Sequence, residues 1–314
     1  MADSEIVEDA RVTLGRVGAF LPNVPYAAQP TVAEQRAAAR RVERAGYPAA
    51  WVNEGVGGRD GFAQLAILLA ATERLAFATG VMNMWARPPE TSHGGATYLA
   101  DAFPGRFVLG LGVGYPFQAE TVGRPYGSPV ATARAYLTRR LVVPEITPAL
   151  TAPYATLLAA NGPKMLAVAR DHADGALPAV QPPAFTALAR ETLGPDKLLA
   201  VSLTAIVDDD AERARATART FLSGVVGLDG SPYAKGLRRV GYSERAIAEV
   251  TDDLLEDVVA FGTPENVAAR VRAHLDAGAD HVRIDPAVPD FATGIDHLER
   301  LAPALPIPAV RQGG

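Results

Sequence analysis

Along most of its length this chain alternates short segments suited to a buried strand with longer segments of helical period. That alternation restricts it to βα units arranged around a parallel sheet. Eight strand-like segments stand out: 13–21 (TLGRVGAFL), 49–53 (AAWVN), 75–82 (LAFATGVM), 106–113 (RFVLGLGV), 155–159 (ATLLA), 175–178 (GALP), 198–207 (LLAVSLTAIV) and 281–285 (HVRID). Pro30-Thr31 opens a helix whose apolar positions Val32, Ala33, Ala37, Val42 and Ala45 recur at helical spacing up to Gly46. Gly262-Thr263-Pro264-Glu265 reads as an N-cap with proline at the first helical position and a carboxylate in the first turn. Eight such units predict an α/β fold, a (β/α)8 TIM barrel spanning 1–314 as a single domain, and not an open sheet. Residues 208–260 break the rhythm with a charged helix (AERARATARTFL), a Gly/Ser/Pro break at 227–232 and helical pieces ending in Leu254 to Phe261. They read as a helical insertion late in the barrel.

Composition narrows the partners. With 30 basic against 35 acidic side chains, a net charge of −5 and no long run of like charges, nothing is arranged to neutralise a phosphate backbone, so nucleic acid is not an expected partner. The absence of cysteine removes disulfides, thiolate nucleophiles and cysteine metal sites, and fits a reducing interior. The start, MADSEIVEDA, lacks the basic and apolar regions of a signal peptide, and the apolar run Phe62 to Thr72 is shorter than the roughly 20 residues a bilayer requires. A soluble cytoplasmic protein with no membrane partner is expected. The histidines at 93, 172, 274, 281 and 297 show no metal-ligand spacing, so no metal is expected, and neither a G-x-S-x-G nor a phosphate-loop lysine is present.

In a barrel, chemistry belongs where strands end and loops begin. Glycines 110, 112 and 114 of LGLGVGYPFQ clear one face of the fourth strand, either for close approach of a flat ligand or for tight packing inside the barrel. Their spacing is not G-x-G-x-x-G, which weakens a dinucleotide fold. Ala159-Ala160-Asn161-Gly162-Pro163-Lys164-Met165 places a glycine turn at a helix start, where free N–H groups favour an anion, although every barrel needs such turns. Glu54, just past the second strand, is a carboxylate able to orient a ring or move a proton, or an ordinary solvated loop residue. The stretch ATGVMNMWARPP begins as a core strand and ends in Asn83, Trp85, Arg87 and two prolines, which calls for an explanation.

These residues converge on a family. Gly80 to Pro89, followed by Pro104 to Gly114 (PGRFVLGLGVG), resembles the third- and fourth-strand signature of the luciferase-like superfamily of flavin and deazaflavin enzymes. Arg44 to Tyr47 with Trp51, Gly162 to Leu166 with Ala173-Asp174-Gly175, and Gly262 to Glu265 with Asp276 to Val282 extend the likeness over nearly the whole chain. Trp51 to Gly55 and Met84 to Arg87 resemble the branch that uses the deazaflavin coenzyme F420.

The resemblance implies a bulge in the third strand with a non-proline cis peptide at Gly80-Val81 behind the ring, Asn83 at the ring edge, and Met82, Met84 and Trp85 walling the pocket. It implies Gly112, Val113, Gly114 and Gln118 near the pyrimidine end or ribityl chain, Ala160, Asn161, Gly162, Pro163 and Lys164 near ribityl and phosphate, and Glu54 touching the deazaflavin. Where sugar-phosphate dehydrogenases of the family carry a histidine and a glutamate this chain has Gly55 and Tyr115, so that reaction is not expected. Hydride transfer between the deazaflavin and a small carbonyl, imine or activated alkene is expected instead, with Tyr115 or Glu54 as proton donor, unless Tyr115 is a lid residue that merely stacks. Phe117, Tyr126 and residues 227–245 of the insertion are expected to shape the substrate pocket. An FMN-dependent monooxygenase and a non-catalytic flavin-binding barrel are the alternatives, and family analogy suggests a homodimer.

Overall fold

A computed structural model describes residues 3–22, 29–139, 152–228 and 230–307. Ten strands form one sheet: β1 (Val17–Phe20), β2 (Ala49–Val52), β3 (Ala76–Thr79), β4 (Met82–Asn83), β5 (Phe107–Gly112), β6 (Ala155–Ala159), β7 (Gly175–Leu177), β8 (Leu198–Val207), β9 (Ala260–Gly262) and β10 (His281–Pro286). The parallel order β10-β1-β2-β3-β5-β6-β7-β8 closes on itself through β8 and β10, paired from His281↔Ala200 to Pro286↔Ala205. The result is the expected eight-stranded barrel wrapped by helices. The two remaining strands are attachments: β4 continues β3 beside β5, and β9 pairs with the outer end of β8.

Two sequence expectations need correction. Thr13 and Leu14 are not strand; they end a helix, Asp3–Leu14, and β1 begins only at Val17. Val7, Ala10 and Leu14 recur on one helical face and pack with Trp51, Ala76, Val108, Leu157 and Leu198, so this helix plugs the amino-terminal end of the barrel. Gly15, at φ +62°, then turns the chain into β1. The helical reading up to Phe261 also fails: the last helix of that region is Asp252–Val258, and Ala260–Gly262 is strand, because its backbone groups meet the exposed ladder of β8.

The insertion carries helices Ala211–Val226, Pro232–Arg239, Glu244–Glu249 and Asp252–Val258. Ala214, Ala218, Leu222 and Val226 stack with Leu237, Ile247, Leu254 and Leu255 into an apolar cluster of its own. No helix among the described residues is long and apolar enough to cross a membrane.

Candidate active site

The opening puzzle of the third strand resolves at the carboxyl end of the barrel. Between Thr79 and Met82 the chain leaves the sheet and rejoins it as β4, and the Gly80–Val81 peptide is cis. Gly80 N donates to Val52 O at 2.7 Å and Glu54 N to Val81 O at 3.0 Å, while Gly80 O accepts from Arg283 Nη1 at 2.9 Å. The detour is thus pinned from β2, from the loop after β2 and from β10.

The β5 glycines make room for it. A Cβ at Gly110 would lie 1.8 Å from Thr79 O, and one at Gly112 2.5 Å from Val81 Cγ2. At Gly114, φ +65°, it would lie 2.0 Å from Gln118 Oε1 and 2.7 Å from Asn83 Nδ2. Of the two readings of these glycines, packing is the one the structure supports: the cleared face is filled by the bulge itself. Thr79 Oγ1 donates to Gly110 O (2.7 Å) and accepts from Gly110 N (2.8 Å), keeping both buried backbone groups satisfied where the ladder is interrupted.

Below the bulge sits a group the sequence reading passed over. Arg283 is 5% exposed, and its Nε and Nη2 donate to Asp285 at 2.6 and 2.5 Å. Nη2 also donates to Ser202 Oγ (2.9 Å), whose hydroxyl donates to Asp285 Oδ2 (2.6 Å). The guanidinium lies 4.5 Å from the Phe20 ring centroid and 5.6 Å from that of Trp51. The available signal was the pair Arg283 and Asp285, two apart in a core strand and hence on one face, where buried charges demand partners. Deeper still, Trp51 Nε1 donates to His281 Nε2 at 3.0 Å, which leaves Nδ1–H to donate to Gly15 O at 2.8 Å. Burial pushes the His281 imidazole down to about 4.

Above the bulge lies a cavity of about 880 Å³ floored by Gly80, Asn53, Phe20 and Arg283. A second, of about 570 Å³, shares Asn53 and extends along Gly55 to Arg59, Phe117 and Gln118. Tyr115 lines the larger one; its hydroxyl is 3.2 Å from that of Tyr233, from the insertion, and its ring stacks on Phe117 at 6.0 Å. Burial raises the Tyr233 phenol well above its ordinary value, and the Tyr115 hydroxyl adds to this.

Other expected site residues have different work. Glu54 is buried; Oε1 accepts from Gly61 N at 2.9 Å and from Arg87 Nη2, and Oε2 from Arg87 Nη1 at 3.0 Å. Arg87 also pairs with Asp60 at 2.8 Å and lies over the Phe62 ring. With both oxygens held, Glu54 braces the loops after β2 and β4 and is poorly placed to carry a proton. Trp85 Nε1 donates to Val113 O and Tyr126 Oη to Gly114 O, each at 2.6 Å, and their rings lie 6.1 Å apart. Both fasten the segment after β5 and do not line either cavity. Asn83 Oδ1 accepts from Trp85 N (2.9 Å), and Gln118 Oε1 accepts from Tyr115 N (2.9 Å). Phe117, 63% exposed, does face the smaller cavity.

The turn after β6 adjoins this patch, since a Cβ at Gly112 would lie 3.6 Å from that of Ala159. Ala160 is buried, and Asn161 Oδ1 accepts from Ala179 N at 2.9 Å, tying the turn to the segment after β7. Gly162 caps helix Pro163–His172 with no side-chain acceptor, and Lys164 is exposed in its first turn. The atom nearest a Cβ at Gly162 is Arg239 Nη1, 3.5 Å away and contributed by the insertion. A helix start with uncapped N–H groups beside a guanidinium is electrostatically suited to an anion.

Comparison with known proteins agrees with this geometry. A model of the luciferase-like monooxygenase family matches residues 16–281. The 5,10-methylenetetrahydromethanopterin reductase of Methanolobus tindarius is 24% identical over 287 residues, covering 78% of this chain and 87% of the relative. The solved coenzyme F420-dependent tetrahydromethanopterin reductase of Methanopyrus kandleri superposes with a TM-score of 0.69 at 17% identity, over 92% of this chain and 99% of that one. An F420-dependent secondary alcohol dehydrogenase, solved with an F420–acetone adduct, also gives 0.69, at 15% identity over 92% and 98%. Closed barrel, third-strand bulge and family match converge: the chain belongs to the luciferase-like monooxygenase family.

Proposed function

We propose that this protein is a coenzyme F420-dependent oxidoreductase that moves hydride between the deazaflavin and a small organic carbonyl, imine or activated alkene. The observation that carries the reading is the backbone platform at Gly80, whose carbonyl is held by Arg283 and which lines a cavity of about 880 Å³. Names of structural neighbours, two of them F420-dependent enzymes, support the choice of coenzyme.

The residues present fit the group. Gly80 and Val81 offer flat backbone to one ring face, with Asn83 at its edge and Val113 and Gly114 beside it. The Gly162 turn, Lys164 and Arg239 offer N–H groups and positive charge to a phosphate. The bound coenzyme would supply a hydride-carrying carbon; everything else falls to the protein. The Glu54–Arg87 pair holds the loops that fence the mouth, Arg283 keeps the platform flat, and Tyr115 brings a hydroxyl into the cavity where the proton accompanying hydride transfer is needed.

Purified protein titrated with coenzyme F420 and, in parallel, with FMN tests the reading through quenching of cofactor fluorescence. F420 is expected to bind at least tenfold more tightly. Tight FMN binding without measurable F420 affinity would reject it in favour of an oxygen-activating flavin enzyme.

A further inference from the structure

The larger cavity is chemically two-sided. Helix Ala211–Val226 has two apolar faces: Ala214, Ala218, Leu222 and Val226 close the insertion's own cluster, whereas Thr217, Phe221 and Val225 line the cavity. With Leu228, Val180 and Val288 these make an apolar wall opposite the platform. Charge is scarce: Arg283 and Asp285 are the ionised side chains among the described lining residues, and they satisfy one another. All three guanidinium nitrogens already donate, to Asp285, Ser202 and Gly80 O. The one cation among the described lining residues is thus already neutralised by a carboxylate, which leaves it less suited to a phosphate or carboxylate ligand. Among the donors that line it is a phenol proton. Between the Tyr115 and Tyr233 hydroxyls, 3.2 Å apart, only one proton can lie on the shared hydrogen bond, and neither hydroxyl has another hydrogen-bond partner among the described residues.

From this arrangement, and resting on the reading of the barrel mouth as the coenzyme site, we propose that the cavity takes an uncharged ligand with an apolar body and one accepting oxygen. The body lies against Phe221 and Val225 of the insertion, and the oxygen accepts from the Tyr115–Tyr233 hydroxyl pair. The insertion thereby sets substrate class: a neutral ketone or enone is admitted and a sugar phosphate is not. Tyr233 becomes a specificity residue supplied from outside the barrel. Because desolvation raises the phenol of the half-buried Tyr233, it stays protonated through the physiological range and remains a donor to such an oxygen.

Isothermal titration of the full chain with 1-decalone and with glucose 6-phosphate, with and without coenzyme F420, tests this. Saturable binding of the ketone is expected, with the phosphate ester at least tenfold weaker. Phe221→Asp, at a half-buried position that tolerates the change in fold better than a core site, should weaken ketone binding by more than tenfold. Tyr233→Phe, which keeps the ring and removes the donor, should weaken it roughly fivefold, with an unchanged melting temperature as the check on folding. Failure of the ketone to bind, tighter binding of the phosphate ester, or wild-type affinity in both variants overturns the proposal. The coenzyme titration is scored separately, so protein that binds F420 but not the ketone rejects the ligand class and leaves the coenzyme reading standing.

Discussion

The strongest energetic commitment in the site is the Arg283–Asp285 pair beneath the platform, and a double-mutant cycle measures it. Arg283→Met keeps much of the side-chain volume but withdraws three donors, leaving Asp285, Ser202 and Gly80 O to find others. Removing one partner of a buried ion pair costs about 3–5 kcal/mol. Asp285 retains 21% of its side-chain exposure, so water recovers part of this and the lower half of that range is expected, about 3–4 kcal/mol. Asp285→Asn leaves the guanidinium with Ser202 and Gly80 O and should cost about 2–3 kcal/mol. The double variant has no orphaned charge, so its loss should be about 3–5 kcal/mol instead of the sum, a coupling of about 2 kcal/mol. Urea unfolding of the four proteins, compared through midpoints at a common slope, reads these values. If the single losses add within about 0.5 kcal/mol, the two side chains are not acting as one latch and the account of the platform fails. The latch also predicts that Arg283→Met weakens coenzyme binding in the fluorescence titration even where the folded fraction is complete, because the carbonyl of Gly80 has lost the donor that orients it.

Three further outcomes follow from the same geometry. Gly110→Ala puts a methyl 1.8 Å from Thr79 O, a backbone atom that cannot rotate away, and should cost more than about 3 kcal/mol or prevent folding, whereas Gly55→Ala, with nothing within 4 Å, should stay within about 0.5 kcal/mol; thermal melts of the pair check this. Glu54→Gln should lose about 1–3 kcal/mol by leaving Arg87 without its bidentate partner, and single-turnover hydride transfer measured on the folded fraction should fall far less than in Tyr115→Phe if Glu54 is a brace and Tyr115 the proton donor. Finally, the folded pKa of His281, about 4, lies below its ordinary 6.5, so the unfolded chain binds the extra proton between those values: stability is complete above about pH 6.5 and falls as pH drops toward 4, by up to about 3 kcal/mol, and His281→Gln should flatten that part of the urea-midpoint profile.

How much of this was legible in the sequence depends on how local each signal is. All eight barrel strands could be read because each is an apolar run closed by glycine, proline or a polar cluster, a pattern written within ten residues. The helix Asp3–Leu14 is written in the sequence too: Ile6, Val7, Ala10 and Leu14 carry the helical period, but acidic residues interrupt the apolar pattern, and the β-branched Thr13 favours the strand that follows. Glycines 110, 112 and 114 were visible as a motif, yet what fills the space beside Gly110 and Gly112 is Thr79 and Val81 of the bulge, so only the assembled sheet decides between a ligand and the protein's own bulge. Trp85 and Tyr126 show the same limit. Their ring chemistry marks a pocket, but their hydrogen bonds to Val113 O and Gly114 O make them fasteners of the loop that forms it. Tyr233 and Arg239 were missed because each is meaningful only through a partner more than fifty residues away, and Arg283 because its nearby partner Asp285 does not reveal the bond to Gly80 O.

The distribution of those missed residues has a physical logic. The barrel end opposite the site is closed by apolar packing and by the Trp51–His281–Gly15 chain of hydrogen bonds, where any change is felt as stability. The platform is made of the Gly80 backbone beside Phe20, Asn53 and an Arg283 already paired with Asp285, so on the proposed reading it supports a flat ring while contributing little chemical preference. Discrimination must then come from elements that reach over the mouth. The insertion does this at both ends, with Phe221 and Tyr233 over the larger cavity and Arg239 beside the turn at Gly162. It does so from an apolar cluster distinct from the main barrel core, which Val180 and Ile206 join from the barrel side. On the proposed reading, a barrel built this way separates the group that holds the coenzyme from the group that selects what the coenzyme meets. On that division, substitutions at Phe221, Val225 and Tyr233 should alter ligand choice at nearly constant coenzyme affinity, and substitutions at Gly80 and Arg283 should do the reverse.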